Sequence, residues 1–98
     1  MSNEQSKKIE WRYFGRDSNG ATVFEIYRCP ANGKNIEFQR HEDVQLLLQD
    51  GSWRPNMQRV LTDEIYDGKF DETIDEISEE KAMEYYQTWL AGEWPGRK

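Results

Sequence analysis

The sequence predicts an α+β fold: an antiparallel meander of three to four strands with two helices packed on one face. Three observations carry this. Ile9–Arg40 alternates apolar and polar residues around two Asn-Gly turns. Residues 78–92 hold apolar side chains at helical spacing between a capping Ser and a Gly. A second, weaker helical stripe lies between Asn56 and Gly68.

Met1–Lys8 is polar, lacks the apolar core of a secretory signal, and reads as a disordered lead-in. A single domain is expected over 9–92, with 93–98 as a tail. In the first hairpin, Asn19-Gly20 separates Ile9–Arg16 from Ala21–Cys29. A two-residue type I′ loop pairs Trp11 with Arg28, Tyr13 with Ile26 and Gly15 with Phe24, leaving room over Phe24. Trp11, Tyr13, Phe24 and Ile26 then share one face. Glu10, Arg12, Phe14, Arg16, Glu25 and Tyr27 share the other. At Ala31-Asn32-Gly33 a three-residue loop with Gly33 left-handed pairs Pro30 with Lys34. It brings Ile36 and Phe38 onto the face of Trp11 and Tyr13.

Val44–Gln49 fits two readings. As a strand it sends Val44, Leu46 and Leu48 one way and Leu47 the other; as helical turns it groups Val44, Leu47 and Leu48. Six residues is short for a helix, so a fourth strand before the Asp50-Gly51 turn is preferred. Asn56 is a good N-cap and Gly68 a good C′ residue for a helix with Met57, Val60, Leu61 and Ile65 on one stripe. Lys69–Ile77 reads as an acidic connector pinned by Phe70, Ile74 and Ile77. Ser78 caps the last helix, Glu79 and Glu80 suit the positive end of its dipole, and Gly92 ends it. Its apolar arc (Ala82, Met83, Tyr85, Tyr86, Trp89, Leu90) is wide for a helix on a small sheet.

Composition narrows the function classes. The net charge of −6 is unevenly placed: 62–84 holds ten acids against Lys69 and Lys81, a balance of −8, and the rest of the chain sums to +2. Direct nucleic-acid binding through a basic surface is not expected; the charge allows a basic protein partner. No apolar run reaches the ~20 residues of a membrane span. One cysteine, Cys29, allows no internal disulfide and fits a reducing, cytoplasmic setting.

No catalytic residue, cofactor site or metal site is expected. Asp67, Asp71 and Asp75 are spaced by four, which is not calcium-loop spacing. Cys29 and His41, each alone of its kind, fall short of a zinc set and lie apart in the expected register, as a small half-buried thiol and a loop histidine. No phosphate loop, dinucleotide fingerprint or nucleophile elbow occurs.

The ring-rich composition (Trp 4, Tyr 5, Phe 4) exceeds what one sheet face needs, and the surplus suggests an interface. Phe14 and Tyr27 on the outer sheet face, with Tyr85 and Trp94 beside the last helix, are the candidate aromatic surface. Asp63, Asp67, Asp71, Glu72, Asp75 and Glu76 are the candidate acidic surface. The expected function is a non-enzymatic protein-binding module, acting on a protein partner or as a homodimer. The alternative is an acidic inhibitor, of anti-defence or immunity type and possibly a nucleic-acid mimic, that occupies a basic protein surface. The aromatic hairpin, the Asp50-Gly51-Ser52-Trp53-Arg54-Pro55 turn and the Ile77-Ser78-Glu79-Glu80-Lys81-Ala82 helix start resemble those of small bacterial proteins. The resemblance covers no catalytic motif and implies no activity.

Overall fold

The computed structural model describes residues 10–17, 22–61 and 74–96. Five strands, β1 (Trp11–Asp17), β2 (Val23–Pro30), β3 (Gln45–Leu47), β4 (Trp53–Arg54) and β5 (Ile74–Ile77), form one antiparallel sheet in the order β4-β3-β2-β1-β5. One α-helix, α1 (Glu79–Ala91), and 3₁₀ turns at Ile36–Phe38, His41–Asp43 and Gln58–Leu61 complete the described residues. The fold is α+β and antiparallel; among the described residues there are five strands where three to four were expected and one α-helix, and most of the span of the second expected helix lies outside those residues.

The β1–β2 hairpin keeps Tyr13 and Ile26 on one face and Phe14 and Tyr27 on the other, as expected, but not the expected pairs, and Val23 rather than Phe24 joins the core of Tyr13. Tyr13 opposes Arg28, Phe14 opposes Tyr27, Gly15 opposes Ile26 and Arg16 opposes Glu25. Relative to a two-residue loop, the pairing has slipped by two, and an even slip leaves every side chain on its own face. The observed register sets Arg16 against Glu25, a favourable cross-strand charge pair. The register shifts between Arg16 and Asp17, and the Asn19-Gly20 turn lies outside the described residues. Val23 Cγ1, 3.2 Å from where a Cβ would stand, fills the space that Gly15 leaves; the expected filler was Phe24.

The expected third strand is absent. Gly33 has the left-handed φ of +87° that the turn reading required, yet the chain does not return along β2. Asn32 and Gln39 bind each other's side-chain amides instead: Asn32 Nδ2 donates to Gln39 Oε1 at 3.1 Å, and Gln39 Nε2 donates to Asn32 Oδ1 at 2.9 Å. Gln39 Nε2 also donates to the Lys34 carbonyl at 2.8 Å. These bonds close 32–39 into a loop of its own. Ile36 is therefore buried beneath the opposite sheet face, and Phe38 is 69% exposed.

β3 takes the vacant place beside β2, pairing Leu46 with Tyr27 and Gln45 with Arg28. Val44, Leu46 and Leu48 join one core and Leu47 the other, as the strand reading of this segment requires. The turn to β4 is held by Asp50 Oδ1, which accepts from the Ser52 backbone N–H at 3.0 Å and its hydroxyl at 2.6 Å. Asn56 has φ +63° and is not a helix N-cap; a 3₁₀ turn over Gln58–Leu61 follows, and Ile65 and Gly68 lie outside the described residues. The stripe of Met57, Val60 and Leu61 packs on the sheet face opposite α1. The end of the expected acidic connector is β5, paired with β1.

The sheet is thus covered on both sides. On one face α1 sets Ala82 and Trp89 against Tyr13, Ile26 and Leu47. On the other, the 3₁₀ turns and β5 set Ile36, Met57, Leu61 and Ile74 against Phe14, Tyr27 and Leu46. α1 begins as expected, with Ser78 Oγ accepting the Lys81 N–H at 3.0 Å. Leu90, on the expected apolar arc, is 44% exposed.

Candidate functional site

The expected aromatic surface is largely interior. Tyr27 has no exposed area, and Phe14 and Trp94 are buried. Phe14 and Tyr27 do lie on the face away from α1, but that face is a second core rather than a surface. Trp94 follows α1 and enters the first core, its ring T-shaped to Trp89 at 5.3 Å and to Tyr86 at 5.9 Å. Tyr85 is half-buried, tilted against Trp89 at 5.7 Å, with Lys81 Nζ 5.3 Å from its ring centre. A continuous aromatic patch of these four residues does not form. Among the described residues the exposed large apolar side chains are Phe38 and Leu90.

The acidic residues divide by what is described. Asp63, Asp67, Asp71 and Glu72 lie outside the described residues. Asp75 and Glu76 stand exposed on β5, the terminal strand of the sheet, opposite Gly15 and Phe14 of β1. The chain then passes through Ser78 into α1, whose Glu79, Glu80 and Glu84 are also exposed. This stretch has five acids against Lys81, a balance of −4. Among the described residues no further strand pairs with β5, so its outer row of main-chain groups borders the acidic run. Glu79, Glu80 and Glu84 were legible as part of the acidic block, but the helix dipole and solvation accounted for them without a site.

These carboxylates are not equivalent. Glu76 is held in a two-pronged pair by Arg12, which donates from Nε and Nη2 at 2.9 Å each. These bonds hold the Glu76 carboxyl below its ordinary range and raise the Arg12 guanidinium. Glu79 interacts with the Tyr13 hydroxyl, which burial, and then the Glu79 charge, push up. Glu84 meets Lys81 at 3.5 Å across one helical turn. Asp75 and Glu80 have no ion pair among the described residues and present their charge to solvent.

The buried ionisable groups are tied into the fold. Arg16 Nη1 donates to Glu25 Oε1 at 3.0 Å, and the Tyr27 hydroxyl donates to the same oxygen at 2.7 Å. Burial and the Glu25 carboxylate raise Tyr27, which therefore stays a donor. Cys29 is fully buried rather than half-buried, and burial pushes its thiol up to about 11; a thiol so placed is a poor nucleophile. Among the described residues no group of three His, Cys, Asp or Glu side chains could hold a metal ion. No helix among them is long and apolar enough to cross a membrane.

Comparison with protein families, curated proteins and solved structures finds no match to this chain.

Proposed function

We propose that this chain is a non-enzymatic protein-binding module whose recognition surface is the acidic edge formed by β5 and the first two turns of α1, and that its partner is a basic protein segment or surface. One observation carries the reading: among the described residues no strand pairs with the outer side of β5, and Asp75 on that strand and Glu80 in the first turn of α1 are exposed and without an ion pair. Such a strand offers main-chain N–H and C=O groups to an extended partner, and flanking charge selects the partner's sign and speeds encounter. The same charges guard the edge against pairing with copies of itself. The aromatic version of the module loses its support, because three of its four residues are interior.

The test is a pull-down of tagged protein from its own cell lysate, washed at low and then about half-molar salt, where exposed charges are screened beyond a few ångströms. The expected partner is basic, leaves in the high-salt wash, and is not recovered by the variant Asp75→Lys/Glu80→Lys. Both positions are exposed, so that variant should fold like the parent. A partner retained at high salt, and by the variant, would transfer the function to an apolar surface such as that around Phe38.

A further inference from the structure

A cleft of about 530 Å³ opens between the β4 end of the sheet and the 3₁₀ turns, away from the acidic edge in sequence. Arg54, Asn56, Arg59 and His41 supply its polar lining, and Met57 and Val60 part of its apolar lining. No carboxylate is among its described lining residues, although acids outnumber basic residues 19 to 13 in the chain. Arg54 and Arg59 are exposed and form no ion pair among the described residues, whereas Arg12 and Arg16 are both paired with carboxylates.

Two further features single out the place. His41 Nδ1 is the buried side-chain polar atom that lacks a hydrogen-bond partner among the described residues. Native interiors rarely leave such an atom unmatched without reason. Among the described residues Asn56 is the non-glycine residue with positive φ, at 63°, and it lies between the two arginines in sequence. Backbone held in that region gathers at ligand clamps, where the surrounding structure sustains it. Here the anchor is the next residue: the Met57 N–H donates to the Val44 carbonyl at 3.0 Å.

We infer that this cleft is a binding site for a small organic anion, whose carboxylate or phosphate group is held by Arg54 and Arg59 and whose apolar body rests on Met57 and Val60. Guanidinium groups match planar or tetrahedral acid groups through paired N–H donors. A cleft of this size, apolar with a few converging polar groups, suits a ligand larger than a bare ion. His41 lines the same space. The site does not depend on the acidic edge being a recognition surface.

The experiment is a titration of the ¹⁵N-labelled full chain, followed by amide shifts, with phenyl phosphate, benzoate, inorganic phosphate and benzyl alcohol. Saturable shifts are expected at His41 and over 54–60 with phenyl phosphate or benzoate, and whichever binds more tightly identifies the acid group. Benzyl alcohol, which keeps the ring and lacks the charge, and inorganic phosphate, which lacks the ring, are each expected to bind at least about tenfold more weakly. Arg54→Gln and Arg59→Gln should each weaken binding about tenfold and together abolish it, with the unliganded spectra otherwise unchanged. Shifts scattered over the surface, binding that survives the double substitution, or inorganic phosphate matching phenyl phosphate would each overturn the inference.

Discussion

Under α1 the sheet is covered by rings, and under the 3₁₀ turns mostly by aliphatic side chains. On the helix side Trp89 meets Trp94 and Tyr85, Tyr13 meets the edge of Trp53 at 5.9 Å, and the Arg28 guanidinium sits 3.9 Å from the Trp11 ring centre and 4.1 Å from that of Trp53. Several of these rings keep an exposed edge. Among the described residues the cover on the other side has no regular structure longer than a 3₁₀ turn. Yet six of the seven most completely buried large side chains belong there: Tyr27, Ile36, Leu46, Leu61, Val44 and Cys29. The drier core therefore lies beneath the less regular layer. What that layer needs in place of helix hydrogen bonds is local locking, supplied by Asn32 with Gln39, by Gln58 Nε2 donating to the Glu37 carbonyl, and by Met57 N–H to Val44. In the ring layer Trp89 is in ring contact with both Trp94 and Tyr85, whereas the aliphatic layer packs smaller side chains.

If so, the largest single loss should come from the ring side. Trp89→Ala removes the partner of both Trp94 and Tyr85 and is expected to cost about 3–5 kcal/mol in a denaturant melt, a large share of a small domain's stability. A midpoint close to the parent's would show that the ring layer is not concentrated on Trp89. Gly96→Ala tests whether the chain beyond α1 belongs to that layer. A Cβ there would stand 2.4 Å from the Phe24 carbonyl oxygen and 2.9 Å from Glu25 Cγ, so the tail must move. The expected cost is about 1–3 kcal/mol, with tryptophan emission shifting to the red as Trp94 loses cover.

On the other face, Gln39→Ala unlocks the 32–39 loop by removing the buried amide that binds the Asn32 side chain and the Lys34 carbonyl, at a cost of about 1–2 kcal/mol. Amide exchange should quicken in 32–43 before it does in α1; equal quickening in both would mean that the two layers are not separable. The smallest effect belongs to the edge. Glu76→Gln keeps the shape and removes the charge that Arg12 holds, and because both side chains are partly exposed the cost at neutral pH is about 0–1 kcal/mol. Folding lowers the Glu76 carboxyl from its ordinary 4.5, so its contribution is complete above that value and is lost as pH falls through the folded one. The gap between parent and variant in paired melts should therefore narrow below pH 4.5 and close in stronger acid; a gap that widened there would reverse the sign.

The candidate sites were legible in the same uneven way. Asp75 and Glu76 stand out in any charge count, but nothing local marks them as a terminal strand, because that depends on β1 having a free side. His41 read as a loop histidine, and Arg54 and Arg59 carried no motif; the cleft exists only once β4 and the 3₁₀ turns come together.

What the sequence by itself determined is what short-range chemistry controls. Alternation sorted Tyr13, Phe14, Ile26 and Tyr27 correctly even though the pairing moved by two, since facing repeats with that period; at the register shift it failed, and Val23 stands where Phe24 was expected. Ser78, the acidic first turn and Gly92 bounded α1, and Asp50-Gly51 turned β3 into β4. Tertiary structure alone decided which faces count as interior. Phe14 and Tyr27 look like surface rings until segments far along the chain cover them, and Trp94 looks like a tail until it enters the space beside Trp89. Ile36 and Phe38, expected together on the face of Trp11, part company: Ile36 lies beneath the opposite face and Phe38 in solvent, where a pair of side-chain amides closes a loop in place of a strand. Periodicity tells which residues point the same way, but burial depends on what arrives from elsewhere, and that is a property of the assembled chain.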